Sequence, residues 1–244
     1  MAQMALRQQL QRNYADYYTD GDSQWRWLSA LAKVENIVKL CGGLPHRKVL
    51  EIGAGEGAIL RRLSEIGFGE QLYGLEVSPS GVGAIRNKRI PRLAECELFD
   101  GYHLPYEAES FDLAILSHVI EHVEFPRQLL YEASRVARYV FVEVPLEDTR
   151  RLPNDYVADA VGHINFYSPK TIRRLLQSSS LRVLQQVTRN PSKATYLYKK
   201  GTKGVLGYCV KNVLISVFPR LAPTFFVYHG VLVCEKDEKE LGQR

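Results

Sequence analysis

The chain has 244 residues, of which 45% are apolar and 24% charged, a balance that excludes a disordered or fibrous chain and leaves room for a sizeable buried core. A net charge of +5 does not by itself argue for a polyanionic partner, and no uninterrupted apolar run of about 18 residues marks a membrane span. The cysteines Cys41, Cys96, Cys209 and Cys234 are scattered and form no Cys-x-x-Cys, so reduced structural thiols are expected, in a cytoplasmic protein.

Residues 1–22 are polar, with Tyr14, Tyr17 and Tyr18 embedded, and predict a short helix and a loop. From Ser23, residues Trp27, Leu28, Leu31, Val34, Ile37, Val38 and Cys41 recur at helical spacing, and Gly42-Gly43 with Pro45 ends that helix. The run 49–52 reads as a buried parallel strand. Glycines at alternate positions follow, Gly53, Gly55 and Gly57, then an amphipathic helix carrying Ile59, Leu60, Leu63 and Ile66. Strands are predicted at 71–76, 96–99, 111–117 and 139–144. Helices are predicted from Ser78-Pro79, a cap residue with proline at the first helical position, and from Pro126. This alternation predicts a doubly wound α/β sheet.

A polar stretch, 145–165, is long for a connection and suits a lid. Ser168-Pro169 opens another helix with Ile172, Leu175 and Leu176 inward, and a strand is expected at 181–188. An apolar helix at 205–221 precedes a last strand at 224–235. The expected organisation is a single domain, 1–244: a helical cap at 1–45, a core at 46–190, and a helical insertion with the final strand at 191–244.

Strand, glycine turn and helix form a nucleotide cradle. Missing side chains let the backbone approach a ligand, and a helix start offers unpaired N–H groups. Taken alone, the turn and Glu76 also fit a dinucleotide fingerprint, so a nicotinamide-dependent oxidoreductase is an open reading at this point. The segment Asp100-Gly101-Tyr102-His103-Leu104-Pro105, Phe111-Asp112, and then His118-Val119-Ile120-Glu121-His122-Val123 narrows it. With Glu51, the glycine turn and Glu76, it resembles the class I S-adenosylmethionine-dependent methyltransferases, most closely the ubiquinone/menaquinone-biosynthesis-like small-molecule group. The resemblance covers 48–145, with a softer match at Gly162-His163-Ile164-Asn165-Phe166-Tyr167-Ser168.

The resemblance implies a seven-stranded, mostly parallel Rossmann-like sheet with one antiparallel strand and helices on both faces. It implies that residues 53–57, Ala54 included, cradle the methionine part of S-adenosylmethionine above Glu51. Glu76, with Val77 beside it, would accept from the ribose hydroxyls. Asp100, Gly101 and Tyr102 would read and cover the adenine, and Ser117 and His118 would lie near the transferred methyl. Tyr18 is the N-terminal tyrosine assigned to the closing segment.

Methyl transfer needs alignment and, for a protonated acceptor, a base. His118, His122 and His163 are the candidates. Three readings of this group stay open: base or orienter, packed structural residues, and a metal site of His118, Glu121, His122 and His163 similar to that of small-RNA 2′-O-methyltransferases. The acceptor is expected to be small or medium-sized and partly apolar. Nucleic acid is not expected, because no Asn/Asp-Pro-Pro-Tyr motif follows the fourth strand. Helix 205–221, preceded by Lys193, Lys199, Lys200 and Lys203, packs on the core, walls the acceptor site or rests on a membrane surface. A non-catalytic cofactor-binding subunit is the remaining alternative.

Overall fold

The computed structural model describes residues 23–153, 155–156 and 162–237. Tyr14, Tyr17 and Tyr18 lie outside them. The elements are α1 (Ser23–Cys41), β1 (Lys48–Ile52), α2 (Ala58–Glu65), β2 (Gln71–Glu76), α3 (Pro79–Asn87), β3 (Leu93–Leu98), β4 (Phe111–Ser117), α4 (Pro126–Val136), β5 (Ala137–Leu146), α5 (Pro169–Gln177), β6 (Leu181–Arg189), α6 (Lys193–Val217), α7 (Ala222–Phe225) and β7 (Tyr228–Lys236). The strands form one seven-stranded sheet in the order β3-β2-β1-β4-β5-β7-β6. Only β7 runs antiparallel to its neighbours, β5 and β6.

Side-chain alternation along the strands divides the core between the two faces. Leu50, Ile52, Ala114, Leu116, Val140 and Val142 pack with α4 and α5. Val49, Leu113, Ile115 and Phe141 pack on the other face with α1, α2 and α3. The central strands are buried on both faces, which explains their nearly unbroken apolar sequence. Helix starts follow local chemistry. Ser78 Oγ accepts from Gly81 N–H with Pro79 just inside α3. Ser168 and Thr171 form a reciprocal capping box at α5.

Element boundaries differ from the sequence reading most in the C-terminal region and at β3, and β5 runs two residues further at each end. The last strand starts at Tyr228, not 224, because Ala222-Pro223-Thr224-Phe225 closes one helical turn with Ala222 and Pro223 buried. β3 begins earlier, at Leu93. The helix expected at 205–221 ends at Val217 and starts at Lys193, with a break at Gly201 (φ 59°, ψ −150°) that joins two helical pieces. Basic side chains between 86 and 92 hold backbone carbonyls elsewhere in the chain: Arg86 donates to the Cys96 carbonyl, Lys88 to that of Glu56 and Arg92 to that of Gly69.

β1 pairs with β2 on one side and β4 on the other, so sheet order reverses between β1 and β4. A crevice opens at the carboxyl ends of the strands there.

Candidate active site

A cavity of about 490 Å³ occupies that crevice, a volume within the range of roughly 300–1,000 Å³ usual for small-molecule sites. Its wall is built from the ends of β1, β2, β4 and β5, the start of β7, and parts of α1 and α6.

The glycine turn forms one part. Gly53, Gly55 and Gly57 have φ values of 74°, 59° and 77°, the left-handed region where a Cβ is strained. A Cβ on Gly53 would meet Val119 Cγ2 at 2.7 Å, and one on Gly57 would meet Ile85 Cγ1 at 2.7 Å. Gly53, Ala54 and Gly55 line the cavity, whereas Gly57 packs against the protein and starts α2. Glu76, at the end of β2, fastens the turn: Gly55 N–H donates to its Oε2 at 2.7 Å and Ser78 N–H to its Oε1 at 3.0 Å. A carboxylate has about four lone-pair sites, so Glu76 keeps accepting capacity on the cavity wall. Burial pushes its pKa up, against those backbone bonds. Glu51 lies on the cavity floor with its Oε2 buried and unpartnered among the described residues. Burial raises its pKa to about 8, against the pull of the Lys33 charge.

Asp100 Oδ1 accepts from the N–H groups of Tyr102 and His103, at 2.9 and 2.7 Å. Its Oδ2 is buried without a hydrogen-bond partner among the described residues. Phe99 and Gly101 line the cavity on either side of it in sequence. Tyr102 does not. Its ring is buried in the core, and its hydroxyl accepts from the N–H groups of Glu124 and Phe125. The expected ring cover over the adenine is therefore not its geometry: the phenol turns inward to tie down the chain entering α4. Phe99 and Val77 are the apolar side chains on this part of the wall.

The rest of the wall is a network of imidazoles and carboxylates. His118, just past β4, has a φ of 59°, a left-handed conformation uncommon outside glycine. Its N–H donates to the Glu143 carbonyl of β5 at 2.8 Å. Its Nδ1 lies 3.1 Å from Glu121 Oε1, and its Nε2 lies 3.8 Å from Glu143 Oε1. Burial and the Lys33 charge lower its pKa, but the two carboxylates prevail and leave it raised. Both carboxylates are depressed in turn, although burial alone would raise them. Glu143 also receives His229 Nδ1 at 2.9 Å and Asn36 Nδ2 at 3.3 Å.

His122 Nδ1 donates to the Gly162 carbonyl at 3.1 Å, which leaves the ring's lone pair on Nε2 when it is neutral. Burial lowers its pKa despite Glu121 nearby, which favours that neutral form. His163 Nδ1 is held by Glu147 Oε2 at 2.8 Å, and its ring lies 4.7 Å from that of His122, edge to face.

The four residues of the metal-site reading do not converge as one set. Among the described residues they divide into two groups whose ligand atoms lie within 4.8 Å of one another: His118 with Glu143 and His229, and Glu121 with His122 and His163. Lys33, Asn36, Glu143, Glu147 and His229 are site residues that the sequence reading missed. Glu143 was visible as the one charge within the apolar run 139–144.

A family model described as a methyltransferase domain matches residues 25–186. The chain belongs to the class I S-adenosylmethionine-dependent methyltransferases. No curated protein matches it. Among solved structures it is similar to a phosphoethanolamine N-methyltransferase 2 from Haemonchus contortus, in complex with phosphomonomethylethanolamine and S-adenosylhomocysteine. The identity is 16%, the TM-score 0.64, and the match covers 93% of this chain and 60% of that one. It is also similar to a geranyl diphosphate C-methyltransferase from Streptomyces coelicolor A3(2), in complex with Mg²⁺, geranyl-S-thiolodiphosphate and S-adenosylhomocysteine. Here the values are 15%, a TM-score of 0.63, and 84% and 76% coverage. A putative methyltransferase of Haloferax volcanii, in complex with the activator Trm112, matches at 16% identity and a TM-score of 0.60, over 88% and 91% of the chains. At these identities the likeness is one of fold.

The methyltransferase cofactor is S-adenosylmethionine. The site fits it on its own terms: the turn 53–55 lines the cavity, Glu51 has a buried oxygen on its floor without a partner among the described residues, and Asp100 has another between the wall residues Phe99 and Gly101.

Proposed function

We propose that this methyltransferase acts on a small or medium-sized, partly apolar acceptor, with a buried imidazole taking the acceptor's proton. The observation that carries the reading is one cavity lined both by the glycine turn with Glu76 and by His118, His122, His163 and His229.

S-adenosylmethionine supplies an activated methyl on a sulfonium, so alignment and exclusion of water are what the protein must add. Gly53, Ala54 and Gly55 lie against its methionine part, above Glu51. Glu76 accepts from the ribose hydroxyls through its remaining lone pairs. Asp100 Oδ2 accepts from the adenine amino group, with Val77, Phe99 and Gly101 against the ring. Ser117, whose hydroxyl is buried and unpartnered among the described residues, and His118 sit at the transfer point.

His118, with Glu121 at its Nδ1 and Glu143 on the Nε2 side raising its pKa, positions rather than accepts. The proton goes to His163, oriented by Glu147, or to neutral His122. A base oriented by a third group is the arrangement general-base catalysis uses. Bound S-adenosylmethionine would supply the methyl to the acceptor as that proton leaves, its sulfonium becoming a neutral thioether.

The test is a panel of candidate acceptors incubated with methyl-deuterated cofactor and read by mass spectrometry. Label is expected in one chemical class. His163→Gln should lower kcat about 10²-fold or more while S-adenosylhomocysteine binds as before. Tight product binding without turnover on any acceptor would contradict catalysis and favour a regulatory subunit.

A further inference from the structure

The second piece of α6, 202–217, carries apolar side chains on two faces, of which the described residues cover one. Leu214 and Ile215 pack against the core. Leu206, Val210, Val213 and Val217, with Phe218 and Leu221 beyond the helix, are 49–69% exposed. Their spacing of three and four puts the helical four on one stripe. Contiguous exposed apolar side chains of this extent mark an interaction surface.

Charge says what covers it. Between residues 160 and 234 the sequence has eleven Lys and Arg and no Asp or Glu. The whole chain carries +5, so the remainder carries −6. Lys203 lies on the stripe itself, three residues before Leu206, and Arg220 lies between Phe218 and Leu221; both are exposed. Lys193, Lys199 and Lys200 are exposed on the first piece of α6. A second copy of the chain would bring like charges together across a two-fold contact. A nucleic acid would leave the apolar side chains without partners. An anionic bilayer accepts both the apolar stripe and the flanking cations.

The stripe's helix is about 24 Å long at 1.5 Å per residue, short of the ~30 Å hydrocarbon core. No helix among the described residues is long and apolar enough to cross a membrane. The geometry is that of a helix lying in the interface.

We propose that α6 and the segment 218–221 dock on the surface of an anionic membrane, and that the acceptor is an amphiphile drawn from that membrane. Ser192, Thr195 and Lys199 of the α6 start, and Val227, line the cavity. The same element therefore carries both the docking stripe and part of the cavity wall. The acceptor half of the proposal rests on the methyl-transfer reading; the docking half does not.

The experiment is flotation of the full chain with phosphatidylcholine vesicles, with and without about one third phosphatidylglycerol, in parallel with calorimetry of S-adenosylhomocysteine. Wild type should float with the anionic vesicles, less at high salt, and poorly with phosphatidylcholine alone. Val213→Glu/Val217→Glu should lose flotation and keep product affinity. Lys203→Glu/Arg220→Glu, which leaves the apolar stripe intact, should lose at least about fivefold per charge removed. Failure of wild type to float, flotation unchanged in both variants, or concentration-dependent dimers abolished by Val213→Glu/Val217→Glu would overturn docking. Failure of product binding with flotation intact would instead overturn the methyltransferase-site reading.

Discussion

His118 and Glu143 set the pH response of the buried network. The His118 pKa is raised above its ordinary 6.5, so the stability it contributes is complete below that pH and is lost as pH rises through the folded-state value. Glu143 is depressed below 4.5; its contribution is present above that pH and is lost as pH falls through the folded-state value. The two windows overlap between about 4.5 and 6.5. Thermal melting of wild type and His118→Gln across pH 5–9 checks this. The difference in Tm should be largest at the acid end, about 2–4 °C per kcal/mol, and should shrink as pH rises. A constant difference would mean that His118 does not titrate against the carboxylates. His229 and Glu143 escaped the sequence reading for a topological reason. They stand far apart in the chain, and only the antiparallel pairing of β7 with β5, which sets His229 opposite Pro145, brings them within 2.9 Å. His118, His122 and His163 were legible because two of them follow one strand and the third sits in a recognisable segment.

At the level of elements, the glycine turn separates two kinds of contribution. Gly55 and Gly57 both hold left-handed backbone, so a valine at either strains the fold by about 1–3 kcal/mol. Only Gly55 lines the cavity. Gly57→Val should therefore lower Tm, with its Cβ forced against Ile85, while binding S-adenosylhomocysteine nearly normally below the transition. Gly55→Val should lose product binding even where the protein is folded. Equal losses of affinity in the two variants would contradict this division. Most elements were legible from periodicity and caps: Ser78 and Ser168 both start the helices that their Ser-Pro pairs predict. The C-terminal region was harder to read. Pro223 begins a helical turn inside what looks like a continuous β-rich run, and Gly201 joins two helical pieces that have no common apolar period. The segment 147–153 packs on that turn: Arg150 N–H donates to the Thr224 carbonyl, and the Arg150 and Arg151 guanidiniums lie over Phe225 and Phe226 at 5.6 and 4.4 Å.

Across the whole molecule, the doubly wound sheet places its switch point, its glycine turn and four imidazoles around one cavity, and the acidic remainder of the chain offsets a basic, apolar C-terminal region in net charge. The sheet was readable because each strand carries its own burial pattern. The charge asymmetry is hidden in the modest net value, which averages two opposite halves. The claim on which the rest depends is that this cavity holds S-adenosylmethionine through Glu76. Calorimetric titration of S-adenosylhomocysteine into wild type and Glu76→Ala tests it most directly. One site per wild-type chain is expected, with a loss of about 1–3 kcal/mol of binding in the variant, roughly fivefold to 150-fold in affinity. A wild type that takes up no S-adenosylhomocysteine, or a folded Glu76→Ala that binds it as tightly as wild type, would contradict it.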